Sequence, residues 1–83
     1  MNNNKLVLIK WYDAKFCSGT LSKEDILGKK MATFESVGYL VARDKITTRI
    51  ASEYNDEGEY RDITLMPTGS VISMRELTPC SLV

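Results

Sequence analysis

Histidine is absent from the 83 residues, and cysteine and proline each occur only twice. Without histidine the chain lacks the commonest general base and the commonest neutral metal ligand. Cys17 and Cys80 lie far apart and neither belongs to a Cys-x-x-Cys pair. A structural zinc site needs about four Cys or His ligands, more than this chain can supply. In a reducing compartment both thiols are expected to be free. Glycine patterns of the phosphate-loop and dinucleotide kinds are missing, so neither a metal nor another cofactor is expected. Net charge is missing too: 11 Lys and Arg balance 11 Asp and Glu. A neutral chain has no broad field to gather DNA or RNA, which counts against a nucleic-acid binder.

Long apolar runs are equally scarce. Leu6-Val7-Leu8-Ile9 is too short for a signal-peptide core and is stopped by Lys10. Nothing approaches the roughly 20 apolar residues of a membrane span. The expected location is the cytoplasm in which the chain is made. A length of 83 residues predicts one domain, 1–83, with residues 1–4 and 78–83 as flexible ends. Such a chain buries only about 60–65% of its unfolded surface, enough for one modest core.

What is present is strand after strand. Leu6 to Tyr12 is apolar with β-branched and aromatic members; Val7, Ile9 and Trp11 share one face and Leu6 and Leu8 the other. Asp13 to Thr33 is irregular. Within it Ser22-Lys23-Glu24-Asp25 has N-cap spacing, Leu21 and Ile26 are placed as a staple, and Gly28 suits a stop. These predict a short helical turn, Lys23 to Leu27, whose plain role is to cover an open end of the sheet. Ser36 to Arg43 is a strand in which Gly38 marks a bend or a close approach of another backbone. Asp44-Lys45 is a tight connection. Ile46 to Tyr54 alternates, with Thr47, Arg49, Ala51 and Glu53 as its polar face. Asn55 to Glu59 is a solvated loop flanked by Tyr54 and Tyr60, which pair across it. Tyr60 to Met66 follows with Ile63 and Leu65 inward, and Pro67 ends it. Thr68-Gly69-Ser70 is a turn, expected to be 3₁₀, and Val71 to Leu77 is the last strand.

One strand, a long loop, three strands, a tight turn and a final strand is the order of a small barrel. The fold class is all-β: a five-stranded SH3-like or Sm-like barrel with a short helical turn in the first long loop. The segments Trp11-Tyr12-Asp13-Ala14, Phe34 to Val41, Ile46 to Ser52, Ile63 to Pro67 and Val71 to Leu77 resemble short proteins carried by bacteriophages and prophages. That resemblance implies a bacterial host cell and a partner in it. Its departures from the barrel families are plain. Met66 to Ser70 has no adjacent basic residue of the Sm RNA-binding kind, and Asp13 to Thr33 has one aromatic where peptide-binding SH3 domains have several.

For chemistry, Cys17 has Lys15 nearby but no histidine partner, and reads as a small, partly buried apolar residue. Asp13 and Glu35 are acids whose proximity the sequence does not fix. An enzyme is not expected. The binding candidates are Tyr12, Asp13 and Tyr39, of interface-forming type, and the basic residues Arg43, Arg49 and Arg61, able to grip a phosphate. Ion pairs with Glu53, Glu59 and Asp62 on a solvated face explain the basic set equally well. Trp11 reads chiefly as core. Open edges at Tyr60 to Met66 and Val71 to Leu77, with Met66 and Met74 as adaptable contacts, predict a homo-oligomer. The leading expectation is a non-enzymatic binder that occupies a host protein surface, with counter-defence inhibition as one such role. The alternatives are an oligomer sequestering a nucleotide-type ligand and an Sm-like RNA binder.

Overall fold

A computed structural model describes residues 4–78. The expected flexibility of residues 1–3 and 79–83, and the state of Cys80, lie outside the described residues. The elements are β1 (Leu6–Asp13), α1 (Lys23–Leu27), β2 (Ala32–Arg43), β3 (Thr47–Tyr54), β4 (Tyr60–Pro67), a 3₁₀ turn (Thr68–Ser70) and β5 (Val71–Glu76). All strand pairs are antiparallel, in one sheet of order β4-β3-β2-β1-β5. The all-β, five-stranded expectation is met. The sheet is open, however: among the described residues β4 and β5 are edges and do not pair with each other, so no closed barrel forms.

The core is small because only one face of the central strands is sealed. Val7, Ile9, Ile50 and Met66 are buried together, with Trp11, Leu40, Val71 and Met74 packed against them. Ile9 and Ala51 are both wholly inaccessible to water. Ala51, expected on a polar face, stands in a central strand between Tyr39 of β2 and Ile63 of β4, where a small side chain is easily covered. β4 presents the opposite face from the expected one. Met66, opposite the buried Thr48, points in, while Ile63 and Leu65 are exposed. A strand with apolar residues at both parities does not reveal its inner face by pattern alone. The burial of Met66 also withdraws it from the edge contacts expected of it, whereas Met74, on the edge strand β5, is half-buried against the core.

Gly38 is the bend the sequence predicts. A Cβ there would lie 2.9 Å from the Ala51 carbonyl oxygen and 3.2 Å from the Ile50 side chain. Only glycine lets β2 pass so close to β3. Extra residues enter the ladders between Leu40 and Ala42 on β2 and opposite Lys10 and Trp11 on β5, and such bulges increase local twist. Asp44 closes the β2–β3 turn: its Oδ1 accepts from the backbone N–H groups of Ile46 and Thr47, both at 2.8 Å. Ile46 is therefore a solvent-facing turn residue, not part of the strand. The Thr68 hydroxyl donates to the Asp44 carbonyl at 2.7 Å. With that proton committed, Thr48 is the donor in the 2.8 Å Thr48–Thr68 bond, and the 3₁₀ turn is tied to the β2–β3 corner.

The β1–β2 ladder runs farther than expected, to Asp13 opposite Ala32, so β2 begins four residues before Ser36. Lys10 opposite Glu35 and Trp11 opposite Phe34 carry this extension. Beyond it residues 14–31 form an arm. Ser22 caps α1, accepting from the Asp25 N–H at 3.1 Å. Gly28 ends α1 in right-handed geometry, φ −81°, so its left-handed freedom is not used. No residue of α1 is buried and Ile26 stays exposed. The helix therefore covers no end of the sheet. The molecule is correspondingly long: 56 × 26 × 20 Å, with a radius of gyration of 16.8 Å against about 12 Å for a compact chain of this length.

Candidate functional site

Two concave surfaces stand out, at opposite ends of β1. The first lies at the root of the arm. Trp11, Tyr12 and Asp13 of β1, Ala14 and Met31 of the arm, and Pro67, Gly69 and Ser70 from the end of β4 and the 3₁₀ turn line a groove of about 370 Å³. The β1–β2 pairing places it: Trp11 stands on the core side, its Nε1 donating to Ser36 Oγ at 3.0 Å, and its ring meets Phe34 at 5.9 Å, tilted by 36°. Trp11 is thus half core and half wall, and Tyr12 is exposed. The walls are mainly apolar, with the Asp13 carboxylate among them. Exposed Phe34 and Met31 continue the apolar surface outward.

The second groove, about 610 Å³, is lined by Tyr39, Ser52, Glu53, Tyr54, Asn55, Glu59, Tyr60 and Arg61. Three of the chain's four tyrosines meet here. The Tyr39 and Tyr54 rings are edge-to-face at 4.8 Å, and Tyr54 lies 6.3 Å from Tyr60, its ladder partner. Tyr60 Oη donates to Asn4 Oδ1 at 2.8 Å, so Asn4 is held where a frayed start was expected. The β3–β4 loop is built by Asn55, whose Oδ1 accepts from the N–H groups of Glu57 and Glu59 and whose Nδ2 donates to Glu59 Oε1, each at 2.9 Å. Gly58 supplies the positive φ of 80° the loop needs. Arg61 Nε donates to Glu53 Oε1 at 2.5 Å. That bond, and the attraction behind it, lowers the Glu53 pKa and raises that of Arg61.

The six candidate residues therefore divide. Tyr12 and Asp13 belong to the groove at the arm root, and Tyr39 and Arg61 to the tyrosine groove. Arg43 and Arg49 belong to neither and lie beside the Asp44 turn, where Arg49 pairs with Asp44 at 3.5 Å. Arg49 and Arg61 stand at opposite ends of the β3–β4 ladder, and both make ion pairs, Arg61 with the expected Glu53 and Arg49 with Asp44, which was not among the expected partners. The Asp44 carboxyl is held below its usual range, first by the Thr47 and Ile46 N–H groups and then by Arg49. Asp13 and Glu35 fall on opposite faces of the β1–β2 ladder and form no pair. Cys17 is exposed, not partly buried. Among the described residues no three His, Cys, Asp or Glu side chains gather as metal ligands, and no helix is long and apolar enough to cross a membrane.

Tyr54, Tyr60, Asn55 and Glu59 enter the groove without having been site candidates. Their signal was the expected tyrosine pair across the loop, but Tyr39 joins it only through β2–β3 pairing. Met31 and Pro67 had no sequence signal, because the arm root is assembled from three distant segments. No family model, no curated protein and no solved structure matches the chain.

Proposed function

We propose that this chain is a non-enzymatic binding protein that acts by occupying the surface of another protein, with the groove at the arm root as its contact. The observation that carries the reading is the composition of that groove. Trp11, Tyr12 and Met31 are residue types enriched where proteins meet, Trp11 and Tyr12 are held on the β1–β2 ladder with Met31 immediately before β2, and exposed Phe34 extends them. Apolar surface of this kind, rimmed by polar residues, marks an interaction site. The order β4-β3-β2-β1-β5, with a 3₁₀ link before the last strand, supports an opened SH3-like or Sm-like small barrel, an architecture suited to binding. The resemblance of its segments to phage and prophage proteins supports a partner in a bacterial host, with inhibition of a defence protein as the role in view. A nucleotide-type ligand is less well supported, since a phosphate in the tyrosine groove meets Glu53 and Glu59 while Arg61 is already engaged.

The test is a photo-crosslinking amino acid at Tyr12 in protein expressed in a bacterial host. A discrete adduct to one host protein, lost with Met31→Glu, is expected. Adducts only to the chain itself, or none, would overturn the reading.

A further inference from the structure

The arm and the β3–β4 tip carry opposite charge. Between Ala14 and Met31 the chain has Lys15, Lys23, Lys29 and Lys30 against Glu24 and Asp25, a net +2. Between Glu53 and Asp62 it has Glu53, Asp56, Glu57, Glu59 and Asp62 against Arg61, a net −4. The two regions cannot meet within one molecule. The arm leaves β1 after Asp13, whereas the tip is anchored by the Tyr60–Asn4 bond ahead of Leu6, at the other end of that strand.

Both regions also offer unfilled apolar contacts. On the arm Phe16 is 90% exposed and Leu27 74%, and Ile26 is exposed beside them. On the tip, Tyr39, Tyr54 and Tyr60 line a groove of about 610 Å³, large enough for an aromatic or a lysine stem. A tyrosine face beside carboxylates favours an ammonium group over an anion. The whole chain is neutral, so two copies approach without net repulsion.

We infer that the occupant of the tyrosine groove is the lysine-bearing arm of a second copy, which makes the association head-to-tail. Such a contact is heterologous: each pair leaves one arm and one tip free, and copies add until a ring closes or a filament grows. This inference does not use the arm-root groove, so it stands or falls apart from the proposed host contact.

Sedimentation velocity across a concentration series tests it. Association is expected at low salt, weakened about tenfold or more in 0.5 M salt. Lys29→Glu with Lys30→Glu, which makes the arm −2, should abolish it. So should Asp56→Lys, Glu57→Lys and Glu59→Lys together, which make the tip +2. Combining all five changes in one chain should restore it, an outcome that misfolding of either variant would prevent. Circular dichroism of each variant confirms that the sheet is intact. A monomer at every concentration would overturn the inference. Association indifferent to both reversals would overturn it too, as would reversals that fail to rescue one another.

Discussion

In the body of the molecule Val7, Ile9, Ile50 and Met66 are closed off from water by β1, β3 and β4. In the arm Phe16, Ile26, Leu27 and Met31, side chains of similar or larger size, face it. Both sets are apolar, and only the strand ladders separate their fates. In the body a bent β2 brings three strands over one face; in the arm one short helix has nothing to pack on. Apolar content alone therefore does not locate a core. What matters is whether topology supplies a second layer, and where it does not, the apolar surface remains available for a partner.

The sharpest way to probe this contrast is a matched pair of truncations. Ile9→Ala should cost about 2–5 kcal/mol of the roughly 5 kcal/mol that holds a small domain together, so the midpoint of a urea titration should fall by about half or more. Leu27→Ala in the arm should move the same midpoint by no more than about 0.5 kcal/mol. Equal losses would erase the distinction between body and arm. Gly38→Ala comes next, because its Cβ would strike the Ala51 carbonyl; a cost of about 1–3 kcal/mol by denaturant unfolding is expected. Thr48→Val leaves volume nearly unchanged but removes the donor of the Thr48–Thr68 bond, for about 1–2 kcal/mol on the same assay.

Smaller still is the acid response of the β2–β3 corner. The folded Asp44 pKa lies below its ordinary 3.8, so the unfolded chain binds that proton more readily. The stabilisation is present above 3.8 and fades as pH falls through the lower folded value. Melting of Asp44→Asn against the parent should show a gap at pH 7 that narrows toward pH 2; a gap independent of pH would locate the effect elsewhere. The least effect on the whole belongs to Ser22→Ala. Loss of the cap weakens α1 by about 0.5–2 kcal/mol locally, seen as faster amide exchange at Asp25, while the global melt stays in place because α1 buries nothing.

Local signals made much of this chain readable. The Ser22 cap, the extent of α1, the 3₁₀ turn after Pro67 and the tight passage at Gly38 each rest on a few neighbouring residues, and the structure agrees with all four. The order of strands was likewise readable. What escaped depends on residues distant in sequence. Ile63 and Leu65 alternate as plausibly as Thr64 and Met66, and only pairing with Thr48 selects Met66. The start of β2 at Ala32 rests on Phe34 and Glu35 finding Trp11 and Lys10. The tyrosine groove needs Tyr39, fifteen residues before Tyr54, to be brought over by the β2–β3 ladder. Arg49 and Arg61 read as a phosphate grip because charge is visible in sequence, whereas the acceptors that engage them, Asp44 and Glu53, are found only in the fold.

Trp11 is the chain's sole tryptophan, and its place has a spectroscopic consequence. Its indole leans on the core, donates its N–H to Ser36 and forms one wall of the arm-root groove. Excitation at the red edge of protein absorbance thus reads out one location without any label. Filling the groove should blue-shift the emission while the sheet stays intact, and unfolding should red-shift it. The sign of one fluorescence change then separates a molecule that has met its partner from one that has come apart.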